Sequence, residues 1–127
     1  MQKKIVIIDD EAPIRLLLEQ TLEDYEDLGV QIFTAANGQE GLDVIRQHQP
    51  ALIFLDVMIP QIDGFEVCEK VKKDKTLRDA FVVLLTAKGQ EFDKQKGIAK
   101  GADKYLTKPF DPDMIVKLTG KILDISL

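Results

Sequence analysis

Short apolar runs alternate along this chain with stretches of helical spacing. Ile5-Val6-Ile7-Ile8, Ala51–Leu55 and Phe81–Leu85 are continuous apolar runs of strand length. Such runs predict strands covered on both faces. Val30–Ala35 reads as a further strand after a turn at Gly29, and Lys104–Thr107 as a short fifth. Pro13 opens a first helix that runs to about Asp24, with Ile14, Leu17, Leu18 and Leu22 inward. Leu42 and Ile45 share a face of a second helix between Asn37-Gly38 and Pro50. A third, Phe65 to about Lys73, turns Val67, Cys68 and Val71 inward. Glu91–Lys100 predicts a weak helix: it is polar, holds Gly97, and offers mainly Phe92, Ile98 and Ala99 for packing. The last helix, Asp111–Leu123, has Asp111 as its cap and Pro112 at its first position, with Ile115, Leu118 and Ile122 inward.

Five consecutive βα units predict an α/β fold: a flavodoxin-like, doubly wound, five-stranded parallel sheet of order 2-1-3-4-5 with five helices. The 127 residues suit one domain spanning 1–127, with no room for an output module. The excess of 22 acidic over 17 basic residues, net −5, argues against nucleic-acid backbone binding. The single cysteine, Cys68, excludes an internal disulfide and fits a reducing cytoplasm, where the chain is expected to reside. Cys68 itself reads as a small core residue. The start of the chain is too short for a signal peptide and no run is long enough to span a membrane, so no membrane partner is expected.

The polar residues at the strand ends carry the chemistry. Ligands of open α/β sheets bind at the carboxyl edge. Asp9-Asp10 end the first strand, Asp56 the third, Thr86 the fourth and Lys108 the fifth. Like charges so close raise one another's pKa or recruit a cation. This set is neutral only with a divalent ion, and Mg²⁺ (with Mn²⁺ as the alternative) prefers such hard oxygen ligands. Asp10 and Asp56 are candidate direct ligands, Asp9 a direct or water-mediated one, and the Met58 backbone carbonyl completes the protein set. A carboxylate is a competent nucleophile for phosphoryl transfer, and each oxygen of the transferred group needs a partner. The metal, Lys108 and Thr86 supply them. Asp56 is already ionised at neutral pH and needs no general base.

Taken singly, each of these residues has an ordinary reading. Asp9, Asp10 and Glu11 could cap the first helix, Asp56 a turn before Pro60, and Thr86 a strand end. His48 reads as a solvated residue near a helix end, and Lys70, Lys72, Lys73 and Lys75 as a solvated helix terminus. A nucleotide or flavin binder would need a Gly-rich loop after the first strand, where Asp9-Asp10-Glu11 stands instead. An aspartyl phosphatase usually carries a second Asp two residues after its nucleophile, where this chain has Met58. A phosphorylation-independent module of the same fold is the other rival.

With these motifs the chain resembles the receiver domain of two-component response regulators over essentially its full length. The resemblance rests on Ile5–Glu11, on Asp56 with Met58, Pro60 and Asp63-Gly64, on Leu85-Thr86-Ala87, and on Gly101–Phe110. It implies that Asp56 accepts a phosphoryl group from a phosphohistidine on a sensor kinase or phosphotransfer protein. It also implies that Asp9 and Asp10 hold Mg²⁺ and that Lys108 binds the phosphoryl group. Thr86 and Tyr105 would be a switch pair, and Lys108-Pro109 a cis peptide. The chain would catalyse only its own phosphorylation and dephosphorylation, and is not a conventional turnover enzyme. Its output would pass to a downstream protein, or to a phosphorylation-dependent homodimer, through the fourth predicted helix, the fifth strand and the last helix. Met58 and Lys88 resemble those of regulators with winged-helix outputs, whereas Lys104 stands where that group frequently has an acid in its dimer face. An apolar Met58 beside a long Lys88 would hinder water and give a long-lived phosphoryl state.

Overall fold

The computed structural model describes residues 3–87 and 91–127, with the backbone alone at 91–93. Lys88 and the Phe92 side chain therefore lie outside the described residues. The elements are β1 (Lys4–Ile8), α1 (Ala12–Thr21), α2 (Glu23–Asp27), β2 (Gln31–Ala35), α3 (Gly38–His48) and β3 (Leu52–Asp56). They continue with α4 (Gly64–Lys73), β4 (Phe81–Ala87), α5 (Glu91–Ala99), β5 (Lys104–Lys108) and α6 (Pro112–Leu123). All pairings are parallel, as the alternation of segments predicted, and the order β2-β1-β3-β4-β5 is that of the expected flavodoxin-like fold, an order that the alternation alone does not fix.

The apolar runs are buried on both faces because successive strand residues point to opposite sides. Val6, Ile8, Ile53, Leu55, Val82 and Leu84 join Leu42, Ile45, Val67, Cys68 and Val71 on one side of the sheet. Ile5, Ile7, Leu52, Phe54, Val83 and Leu85 join Leu18, Leu22, Ile115 and Leu123 on the other. Cys68 is fully buried, and burial pushes its thiol up to about 11, so it stays protonated as a core residue. Asn37, Asp63 and Asp111 each cap a helix, their side chains accepting from the backbone N–H of Glu40, Glu66 and Asp113.

Several helical expectations need correction. The first helix breaks at Leu22, so there are six helices among the described residues rather than five. The break turns Tyr25 under α6, where its hydroxyl donates to the Val116 carbonyl at 2.7 Å. Gly29 then reverses the chain at φ +95, a conformation that only glycine adopts without strain. Leu17 is exposed rather than inward, as is its neighbour Leu16. The buried face of α6 is Ile115, Thr119 and Leu123, with Leu118 and Ile122 half-buried. Thr119 is hidden there because its hydroxyl donates to the Ile115 carbonyl one turn back, at 2.8 Å.

In α5, Ile98 and Ala99 are exposed and Gly97 is the buried position among the described side-chain sites, 94–99. A Cβ at Gly97 would lie 2.7 Å from Leu84 Cδ1 and 3.4 Å from Tyr105 Cδ2, so the helix backbone rests on the sheet. Lys72 is not solvated either. Its ammonium lies 2.7 Å from Asp103 Oδ2 and donates to the Arg78 and Ala80 carbonyls. No helix is long and apolar enough to cross a membrane among the described residues.

Candidate functional site

β1 has β2 on one side and β3 on the other, so the strand order reverses there and opens a crevice at their carboxyl ends. Asp9 leaves β1 into this crevice, and Asp56 is the last residue of β3. Carboxylate oxygens of Asp9, Asp10 and Asp56 all lie within 4.8 Å of one another. Asp9 is fully buried, Asp56 is 6% exposed, and Asp10 is open to solvent.

Lys108, at the end of β5, is the cation that meets these acids. Its ammonium sits 2.7 Å from Asp9 Oδ2, 3.3 Å from Asp56 Oδ2 and 4.0 Å from Glu11 Oε2. The peptide it forms with Pro109 is cis. Asp9 Oδ1 accepts from the Glu11 N–H at 2.9 Å, and Arg15 Nη1 donates to the Asp9 carbonyl at 2.7 Å. Asp56 Oδ1 accepts from the Met58 N–H at 3.1 Å. These bonds aim both buried carboxylates at the crevice. They also decide against the capping reading of the first acids, because α1 has no side-chain cap.

Burial is the main cause holding the Asp56 carboxyl above its ordinary range, and the Asp9 charge adds to it. Lys108 and the Met58 N–H act the other way without winning. For Lys108, burial disfavours the charge. The hydrogen bond to Asp9 and the charges of Asp56 and Asp9 outweigh it, and the ammonium is held above the ordinary lysine value. One lysine thus balances only part of the negative charge of three acids, and the remaining hard oxygen donors fit a Mg²⁺ or Mn²⁺ ion.

Thr86 is buried on β4, and Tyr105 is half-buried on β5. Register pairs Thr86 with Thr107 and Leu84 with Tyr105. Thr86 and Tyr105 therefore share one face of the sheet, the face on which Gly97 of α5 lies. His48 stands apart from the site: it is half-buried and stacks on Phe33 with ring centroids 3.7 Å apart, which corrects its reading as a solvated residue.

Glu11 and Gly64, quoted in the sequence only within motifs, and Arg15, not singled out there, also contribute to the site. A Cβ on Gly64 would collide with the Asp56 carbonyl oxygen and lie 2.7 Å from Val57 Cα. The signal for Gly64 was the loop-ending Asp63-Gly64 pair. Arg15 had none, because its partner is a backbone carbonyl six residues away.

The sequence profile of the response regulator receiver domain matches residues 5–119. The alkaline phosphatase synthesis transcriptional regulatory protein PhoP of Bacillus subtilis is 45% identical over 112 residues, 88% of this chain and 45% of that protein. The response regulator Rre1 of Synechocystis is 37% identical over 119 residues, 94% of this chain and 51% of that protein. This chain thus spans about half the length of the curated relatives it matches. Among solved structures, the chemotaxis response regulator CheY4 of Vibrio cholerae matches with a TM-score of 0.84 and 30% identity, covering 96% of this chain and 99% of that one. The strand order, the acids at the β1–β3 crevice and these likenesses agree: the chain belongs to the receiver-domain family of two-component response regulators.

Proposed function

We propose that Asp56 is the phosphoacceptor and that residues 1–127 act as one receiver domain. The observation that carries this is the pairing of a nearly buried Asp56 with the Lys108 ammonium at 3.3 Å, beside two further acids. The donor is a phosphohistidine on a sensor histidine kinase or a phosphotransfer protein. An ionised Asp56 oxygen forms the new bond to phosphorus while the donor's P–N bond breaks, and the imidazole leaves with a proton. Lys108 keeps its short contact to Asp9 and turns its longer one from Asp56 to a phosphoryl oxygen. The Thr86 hydroxyl takes another oxygen. Asp9, Asp10, Asp56 and the Met58 carbonyl would hold Mg²⁺ or Mn²⁺, which supplies the positive charge that the transferring group needs.

The switch reading rests on the shared face of Thr86 and Tyr105 and on the bare backbone of α5 at Gly97. A shift of Thr86 toward the phosphoryl group frees space for Tyr105, and α5 lies directly against that ring. Among its described side chains, α5 has few buried ones to resist displacement. Affinity for a downstream protein, or for a second copy, then changes across α5, β5 and α6. Exposed Lys104 on β5 lies on that surface. We place the protein in the cytoplasm, acting through protein partners with no direct nucleic-acid or membrane contact. Its chemistry is confined to its own phosphorylation and dephosphorylation.

Intact mass after incubation with acetyl phosphate and Mg²⁺ tests the proposal. One added phosphoryl group is expected, and its absence would sink the reading. Mg²⁺ alone is expected to raise the melting temperature at constant ionic strength. At a hundredfold excess over Kd the gain is about 2.7 kcal/mol. Asp10→Asn should lose that gain, and an undiminished shift in the variant removes Asp10 from the ligand set. Met58, 66% exposed beside Asp56, is expected to slow attack of water on the acyl phosphate. Decay of the phosphoprotein is therefore faster in Met58→Asn, by about two- to tenfold, a modest part of the 10²–10⁴ that a positioned polar group supplies. An unchanged decay rate removes Met58 as the shield.

A further inference from the structure

We propose that Lys96 of α5 is a positioning residue that draws anionic phosphodonors into the cleft beside Asp56. The inference rests on the phosphoacceptor reading of Asp56. Asp10, Met58, Asp63, Phe65 and Lys96 line one cleft, and among the described residues that line it Lys96 is the cationic one. The Lys96 ammonium lies over the Phe65 ring, 4.7 Å from its centroid. Phe65 is 5% exposed and follows Gly64, whose backbone packs against Asp56 and Val57. The ammonium is therefore seated on a rigid support next to the phosphoacceptor loop.

An aromatic face holds a cation without neutralising it. That separates Lys96 from Lys108, whose charge is engaged by Asp9 and Asp56. No carboxylate among the described residues forms an ion pair with Lys96. The need for such a charge is plain from the surroundings. A phosphodonor arrives as an anion, yet the chain carries a net charge of −5 and the cleft itself presents Asp10 and Asp63. A cation without a carboxylate partner among the described residues, at the side of such a cleft, raises the local concentration of the anion and the rate of productive encounter. Salt screens the effect once the charges are about a Debye length apart. Lys96 touches neither the carboxylate that reacts nor the bond that breaks, so its action is on approach and not on the transfer step.

The test is the second-order rate of phosphorylation by acetyl phosphate at saturating Mg²⁺, followed by intact mass over a range of ionic strength. Wild type is compared with Lys96→Gln, Lys96→Arg and Lys96→Glu. At low ionic strength the rate is expected to fall by about three- to tenfold in Lys96→Gln and further in Lys96→Glu, with Lys96→Arg close to wild type. The curves should converge at high salt. Phosphoramidate, which carries less net negative charge than acetyl phosphate, should show a smaller loss. Equal rates in wild type and Lys96→Gln overturn the proposal. So does a loss that is the same at every ionic strength, because it marks a structural role for Lys96 on the Phe65 ring. Failure of wild type itself to take up a phosphoryl group overturns the phosphoacceptor reading and this proposal with it, which separates the two failures.

Discussion

Asp56→Asn takes up no phosphoryl group from acetyl phosphate and Mg²⁺, and it melts at a higher temperature than the wild type. Both are expected because Asn keeps the shape of the side chain and removes its charge. The neutral amide is no nucleophile toward phosphorus, so the adduct is lost outright rather than reduced. The stability gain follows from where the charge sits. Burial first, and then Asp9, hold the Asp56 carboxyl above the ordinary value of 3.8. The native state therefore binds that proton more tightly than the unfolded chain. As pH falls from the raised native value toward 3.8, Asp56 contributes increasing stability, and above that window its ionised form costs stability. Asn removes that cost at neutral pH. Lys108 loses one contact in the variant but keeps the 2.7 Å contact to Asp9. The expected gain is about 1 kcal/mol, roughly 3–5 °C for a chain of this size.

Lys108 has the same direction of pH dependence, but here burial is outweighed and it is the charged form that the native state favours. Its pKa is raised above 10.5, so its contribution is fully present below 10.5 and is lost as pH rises through the native value. Intact mass and thermal unfolding read the two outcomes of Asp56→Asn separately. An adduct that persists in the variant places the phosphoryl group elsewhere. A lower melting temperature means that the Lys108–Asp56 contact outweighs the cost of the buried charge.

Gly64→Ala is expected to lose about 2–4 kcal/mol of stability, a large effect for one methyl group. The reason is backbone, not side chain. The added Cβ would collide with the Asp56 carbonyl oxygen and lie 2.7 Å from Val57 Cα and 3.0 Å from the Asp56 carbonyl carbon. Main-chain atoms at and just past the end of a central strand cannot swing aside as a flexible side chain can. Relief requires the start of α4 to move away from β3, which also displaces the 3.0 Å bond from the Gly64 N–H to the Val57 carbonyl. Phosphorylation should slow as well, because Asp56 ends β3 where this loop begins and the Met58 N–H that orients it lies in the loop. Urea unfolding measures the first effect and the mass assay the second. Stability within about 0.5 kcal/mol of wild type, the usual range for a surface substitution, would show that the loop yields freely.

Legibility differed sharply between strands and helices. Three strands were plain as continuous apolar runs, because burial on both faces leaves few positions for polar residues. Helical faces were harder. The spacing of Ile115, Leu118 and Ile122 is apolar, yet the buried face includes Thr119, whose hydroxyl is satisfied inside its own helix. For α5 the pattern pointed to Phe92, Ile98 and Ala99; the Phe92 side chain lies outside the described residues, Ile98 and Ala99 are exposed, and among the described residues the contact is made by Gly97, which has no side chain for a pattern to register. The break at Leu22 follows from packing of Tyr25 under α6, a partner 91 residues away in sequence.

What the sequence alone determined is the chemistry available at one edge of the sheet. Asp9, Asp10, Asp56, Thr86 and Lys108 each stand at or beside the end of a predicted strand, and a parallel sheet carries all such ends to the same side. That argument needs only hydrophobic period and connectivity. What the tertiary structure decided is how those charges are balanced and which neighbours adjust them. It set Lys108 between Asp9 and Asp56, aimed Asp56 through the Met58 N–H, brought Gly64 against the Asp56 backbone, and seated Lys96 on Phe65. Lys108 lies 99 residues from Asp9, and a lysine in a sequence looks the same whether it is solvated or poised over a ring. Distances of a few ångströms between remote segments arise from packing of the whole core, and they control electrostatics because charge interactions strengthen as the separation and local dielectric fall.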